Sequence, residues 1–71
     1  MRIQFDVAAQ EMGWSVRRNG KVLGTYGSRV TALGAAENFA RASAKHGDSA
    51  VVRVVAGGEI QEERSFASDI F

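Results

Sequence analysis

Along residues 2–8 apolar and polar positions alternate, with Ile3, Phe5 and Val7 on one side and Arg2, Gln4 and Asp6 on the other. A period of two is that of a strand with one buried face. Gln10 to Gly13 is polar and ends in glycine, which suits a turn. The alternation resumes over 13–18, setting Trp14 and Val16 against Ser15 and Arg17. Asn19-Gly20 then interrupts it. A two-residue type I′ turn needs positive φ at both positions, which Asn and Gly tolerate best, so the pair predicts a hairpin whose return strand covers 21–27. Counted outward from the turn, Arg18 opposes Lys21, Arg17 opposes Val22, Val16 opposes Leu23 and Trp14 opposes Thr25. This register puts Trp14, Val16 and Leu23 on the core face. Val22 and Tyr26 share the opposite face with Ser15 and Arg17.

Over 29–46 the period lengthens. Ala32, Ala35, Ala36, Phe39, Ala40 and Ser43 recur at helical spacing with Leu33 on the flank, and no proline interrupts them. Ser28 reads as the N-cap, Gly47 as the C′ residue, and Lys45 and His46 suit the negative end of the helix dipole. Gly34 weakens such a helix by about 1 kcal/mol relative to Ala, which predicts a close approach by another backbone at that point. A second β-rich run covers 50–56, Gly57-Gly58 is a second two-residue turn signal, and a strand over 59–65 returns. Its register pairs Val55 with Ile60, Val54 with Gln61 and Arg53 with Glu62. Val52 and Val54 then lie on one face, and Val51, Val55, Ile60 and Phe66 on the other with Arg53 and Glu62. A sheet covered by one helix needs one apolar face only. Apolar residues on both faces predict that something else covers the second, either the tail residues Phe66, Ile70 and Phe71 or a second subunit. The fold expected is α+β, an antiparallel β-sheet with one helix packed on one face, in the order β-β-β-α-β-β, forming a single domain over 1–71. The strand order within the sheet stays open.

Composition narrows the function. A chain of 71 residues has room for one thin core, and small domains commonly add a staple. No cysteine is present, so disulfides, Cys-ligated zinc, iron–sulfur clusters and thiol catalysis are excluded, and the lone His46 cannot build a multi-histidine metal site. No cofactor or metal is expected. Self-association is the remaining source of buried area, and it favours a homodimer. Nine Lys and Arg against eight Asp and Glu argue against a binder that relies on bulk positive charge. No apolar run reaches the length of a membrane span, and the first residues do not form a signal-peptide core. The cytoplasm is the expected location.

The stretch Gly13-Trp14-Ser15-Val16, then Asn19-Gly20, Ser28, the Ala-rich helix, Val51-Val52 and Gly57-Gly58-Glu59-Ile60-Gln61-Glu62-Glu63-Arg64-Ser65-Phe66 resembles a family of small bacterial proteins, the domain-of-unknown-function family 2188. Members share a W-x-V hairpin, a Ser/Thr-capped Ala-rich helix, a strand, a G-x-I-Q turn and a polar tail ending in an aromatic residue. The likeness covers 13–71 and leaves the first strand outside. Asp69-Ile70-Phe71 also lacks the proline that the tail often carries. The resemblance implies an α+β fold and no particular activity.

Each candidate site has a plainer alternative. Arg17, Arg18 and Lys21 cluster at the hairpin tip, with Trp14 and Tyr26 at its base, and cations on a two-stranded ribbon can neutralise phosphates or enter a major groove. The plainer reading, which is favoured, is a solvated tip that keeps a sheet edge soluble; Trp14 reads as core. Glu59, Glu62, Glu63 and Asp69 are acidic, but Glu62 and Glu63 are adjacent on a strand and point to opposite faces. A cross-strand Arg53–Glu62 pair accounts for them better. His46 reads as a helix-end residue, because no Asp/Ser constellation can be assigned around it. The serines lack a G-x-S-x-G motif, and Gly20, Gly24 and Gly27 form no phosphate-binding fingerprint.

The reading is therefore a non-enzymatic interaction module, binding itself or another protein through a face built on Val22, Tyr26, Val51, Val55 and Ile60. A weak nucleic-acid binder using Arg17, Arg18 and Lys21 is the second reading. A small inhibitor of a host complex, encoded by a phage or mobile element, is the third.

Overall fold

The computed structural model describes residues 2–66. Its elements run β1 (Arg2–Gln10), β2 (Gly13–Arg18), β3 (Lys21–Tyr26), α1 (Arg29–Lys45), β4 (Ser49–Ala56) and β5 (Glu59–Phe66). The α+β class and the element order are those the pattern predicts. Ile70, Phe71 and Asp69 lie outside the described residues.

The turns form where their chemistry demands. Asn19 takes φ 49° and Gly20 φ 90°, the two positive values of a type I′ turn. Gly57 and Gly58 repeat the arrangement between β4 and β5. Ser28 caps α1 by accepting a hydrogen bond from the Thr31 N–H at 3.2 Å. At the other end the Gly47 N–H donates to the Ala44 carbonyl at 3.1 Å and the Asp48 N–H to the Ser43 carbonyl at 3.0 Å. Those two bonds make a complete Schellman motif.

The five strands lie in the order β3-β2-β1-β4-β5. The sheet is mixed rather than purely antiparallel, because β1 and β4 pair in parallel while every other neighbour pair is antiparallel. The cause is α1. β3 runs antiparallel to β2 and hence parallel to β1, and the helix carries the chain back to the starting end of the sheet before β4 begins. A strand entered from that end beside β1 can only run parallel to it.

The helix lies across the centre of one face. Ala32, Ala36, Ala40 and Ala44 recur every four residues and are buried against the sheet. Their small side chains let the helix axis approach Ile3, Phe5 and Val7 of β1, Val16 of β2, and Ala50, Val52 and Val54 of β4, which together form the core. Trp14, Tyr26, Leu33 and Phe66 are partly buried around it. Gly34 has no close neighbour at all: a Cβ added there would meet open space, so no backbone approach explains it.

Both hairpins depart from the register counted outward from their turns, each through one bulge. In the first, Arg18 faces Lys21 and Arg17 faces Val22, but Val16 then faces Gly24, Ser15 faces Thr25 and Trp14 faces Tyr26. Leu23 is the extra residue. The slip moves Tyr26 onto the helix side with Trp14, not onto the open face with Val22, and leaves Leu23 exposed rather than in the core. Gly24 makes room for this: a Cβ there would sit 3.1 Å from the Tyr26 hydroxyl oxygen. In the second, Gln61 is the extra residue, so Val54 faces Glu62 and Arg53 faces Glu63. Glu62 and Phe66 therefore lie on the helix side, and the cross-strand ion pair is Arg53–Glu63 at 3.0 Å, not Arg53–Glu62. Glu62 and Glu63 do diverge to opposite faces.

Candidate functional site

The two flanks of α1 differ. Along β5, the second bulge turns Glu62, Arg64 and Phe66 towards the helix, and each is held. Arg29 donates to Glu62 at 2.8 Å, Arg64 donates to Glu37 at 3.2 Å, Arg41 lies 3.7 Å from the same Glu37, and the Arg41 guanidinium stands 5.9 Å from the Phe66 ring centroid. Along β3, Trp14, Tyr26 and Leu33 are partly buried against the core, while Leu23 and Phe39 stand exposed on the helix side.

The result is a cleft of about 410 Å³ lined by Ile3, Phe5, Arg18, Leu23, Phe39, Ala42, Ser43, His46 and Asp48. Its floor is apolar. Phe5 and Phe39 stack with centroids 6.1 Å apart and planes 15° from parallel, and Leu23 and Phe39 remain 41% and 38% exposed. Its rim is polar. Arg18 comes from the end of β2, opposite Phe5 in the β1 register, and His46 and Asp48 come from the Schellman turn. The volume lies within the roughly 300–1,000 Å³ of small-ligand pockets, and the mix of apolar wall and few polar groups is typical of them.

Ser43, His46 and Asp48 share this cleft, although the sequence assigns no such constellation around His46. Their nearness follows from the helix end, where backbone bonds from His46 and Asp48 to the Ser43 carbonyl fold the three together. No side-chain hydrogen bond joins His46 to Ser43 among the described residues, whereas an activated serine needs its base within hydrogen-bond reach. Among the described residues, no group of three His, Cys, Asp or Glu is placed to hold a metal ion.

The basic tip is divided by the pleat. Arg18 and its partner Lys21 lie on the helix side, while Arg17 lies on the open face beside Asp6, with its Nε buried and without a hydrogen-bond partner among the described residues. The tip is also pinned. Asn19 donates its N–H to the Gln4 carbonyl at 2.8 Å, and its Oδ1 accepts from the Gln4 N–H at 3.0 Å.

The residues expected to form one apolar open face are dispersed. Tyr26 is on the helix side. Val22 sits on the β3 edge, separated from Val51 and Val55 on β4 by the polar columns Arg17 and Gln4–Asp6, the latter joined by a side-chain hydrogen bond at 3.1 Å. At about 4.8 Å per strand, Val22 and Val55 are roughly 14 Å apart across the sheet. Val51 is already buried, leaving the half-buried Val55 and its exposed cross-strand partner Ile60. The cleft is not legible in the sequence, because the counted register packs Leu23 against Val16 in the core and only the bulge leaves it exposed.

No protein-family model matches the chain, and neither the curated proteins nor the solved structures give a significant match. No helix among the described residues is long and apolar enough to cross a membrane.

Proposed function

We propose that this protein is a binding module without catalytic turnover, whose ligand seat is the cleft between the C-terminal half of α1 and the Asn19-Gly20 hairpin. One observation carries the reading: Phe39 and Leu23 stand exposed beside the buried Phe5 and Ile3, around a cavity that the fold leaves unfilled. A chain this small gains stability from every apolar contact it can close. The test is a titration with an uncharged aromatic probe, 3-phenylpropanol, followed by amide proton–nitrogen correlation spectra. Shifts should saturate and concentrate at Ile3, Phe5, Arg18, Leu23, Phe39 and Ser43, and Leu23→Asp should abolish them while the remaining spectrum keeps its dispersion. Shifts scattered over the open sheet face would reject the cleft. Absence of turnover is checked with a p-nitrophenyl ester of 3-phenylpropionate, which should hydrolyse equally fast with the protein and with His46→Ala.

Self-association through the open face is the second reading, supported by the exposed Ile60 beside the half-buried Val55. It expects a dimer by light scattering that Ile60→Glu converts to a monomer. Nucleic-acid binding at the hairpin is less well supported, since only Arg18 and Lys21 of the three cations share a face. The likeness to the domain-of-unknown-function family 2188 is held as a proposal on the residues that carry it.

A further inference from the structure

Four arginines of the described chain, Arg29, Arg41, Arg53 and Arg64, each stand within ion-pair distance of a carboxylate. Arg2, Arg17 and Arg18 have none among the described residues, and of these three Arg18 lines the cleft. Directly opposite it on the same face is Lys21, also without a carboxylate among the described residues. Two like charges facing each other across a strand pair repel, which is destabilising. An anion placed between them would reverse the sign of that interaction. The guanidinium is the better of the two anchors, because its planar fork can hold a carboxylate through two parallel hydrogen bonds. Next to this cationic pair the cleft offers only hydrocarbon: the Leu23 side chain, the stacked rings of Phe5 and Phe39, and Ile3. His46 also lines the cavity, and among the described residues Asp48 is the acidic group that does so.

From this juxtaposition we infer that the cleft takes a small carboxylate with an apolar body, an aryl or short acyl acid. Its ring or chain lies on Phe5, Leu23 and Phe39, and its carboxylate is held by Arg18 within the field of Lys21. This inference rests on the cleft being the ligand seat and specifies what fills it.

The experiment compares three probes of one shape in the same correlation spectra: 3-phenylpropionate, 3-phenylpropanol and 3-phenylpropylamine. The acid should bind at the cleft about tenfold more tightly than the alcohol, and the amine more weakly than either. Arg18→Gln should bring the acid down to the affinity of the alcohol and leave the alcohol unchanged, while Lys21→Gln should lower acid affinity by about two- to threefold. Raising ionic strength should weaken the acid and spare the alcohol, because exposed charges are screened within about 10 Å at 0.1 M salt. Equal binding of acid and alcohol at the cleft would overturn the carboxylate inference and leave the seat standing. Tighter binding of the amine would overturn it. No shift of the cleft residues with any probe would overturn both. Arg18 is exposed on a strand end, so the fold of its variant is checked by the unchanged dispersion of residues outside the cleft.

Discussion

Asn19 joins two elements, since its backbone makes the type I′ turn and its side chain reaches the Gln4 N–H of β1. Asn19→Gly preserves the first role and deletes the second. The expected loss is about 1 kcal/mol, the net value of one such hydrogen bond, read as a lower urea midpoint at unchanged slope. Two glycines are predicted to behave oppositely on substitution by alanine. At Gly13, φ is 133° and a Cβ would collide with the Tyr26 carbonyl oxygen, so Gly13→Ala should destabilise by at least about 2 kcal/mol. At Gly34 the backbone is helical and the space is open, so Gly34→Ala should stabilise by about 1 kcal/mol. Thermal unfolding of the two variants decides both. The contrast also marks what single residues disclose. Asn19, Gly20, Ser28 and Gly47 announce their conformations because few other residues tolerate those φ values or donate those caps. Gly34 carries no comparable signal, and the helix interior simply absorbs its cost.

At the scale of elements, the pattern of apolar residues named every strand and the helix, and the turn chemistry named where the hairpins reverse. The bulges escaped it. A pairing counted from a turn assumes one residue against one, and nothing in Val22-Leu23-Gly24 or Ile60-Gln61-Glu62 breaks the local alternation strongly enough to show an insertion. Yet each bulge decides which side chains meet the helix. The second sends Glu62, Arg64 and Phe66 to α1, and Glu37 becomes the shared acceptor for Arg64 and Arg41 with only 16% of its side chain exposed. Glu37→Gln should destabilise by about 0.5–1 kcal/mol, within the range of partly exposed pairs. A double-mutant cycle with Arg64→Ala should return a coupling of the same order that shrinks as salt rises. A coupling that is zero at low salt would mean that Arg41 alone holds Glu37.

For the whole molecule, the consequence of these element-level choices is asymmetry. α1 is tied to β5 by ion pairs along one flank and leaves a cleft beside Leu23 along the other, in a chain with no cysteine to form a disulfide. Parallel pairing of β1 with β4 could not be read from the sequence, because it depends on where the crossover helix delivers the chain. That delivery puts β1 at the centre of the sheet, where Ile3 and Phe5 floor the cleft. If the cavity is retained for binding, filling it from within should improve stability at the expense of binding. Ala42 is the position for this, since it is exposed, lies in the last turn of α1 and lines the cavity. Leucine is as compatible with a helix as most residues, and its side chain would reach over Phe39 towards Leu23. Ala42→Leu should raise the unfolding free energy by about 0.5–1.5 kcal/mol, close to burial of one or two methylene groups, and weaken 3-phenylpropionate at least about tenfold. A variant that gained stability and still bound the acid as tightly would move the ligand seat elsewhere. One that lost stability would show that the walls of the cleft are already as close as their packing allows.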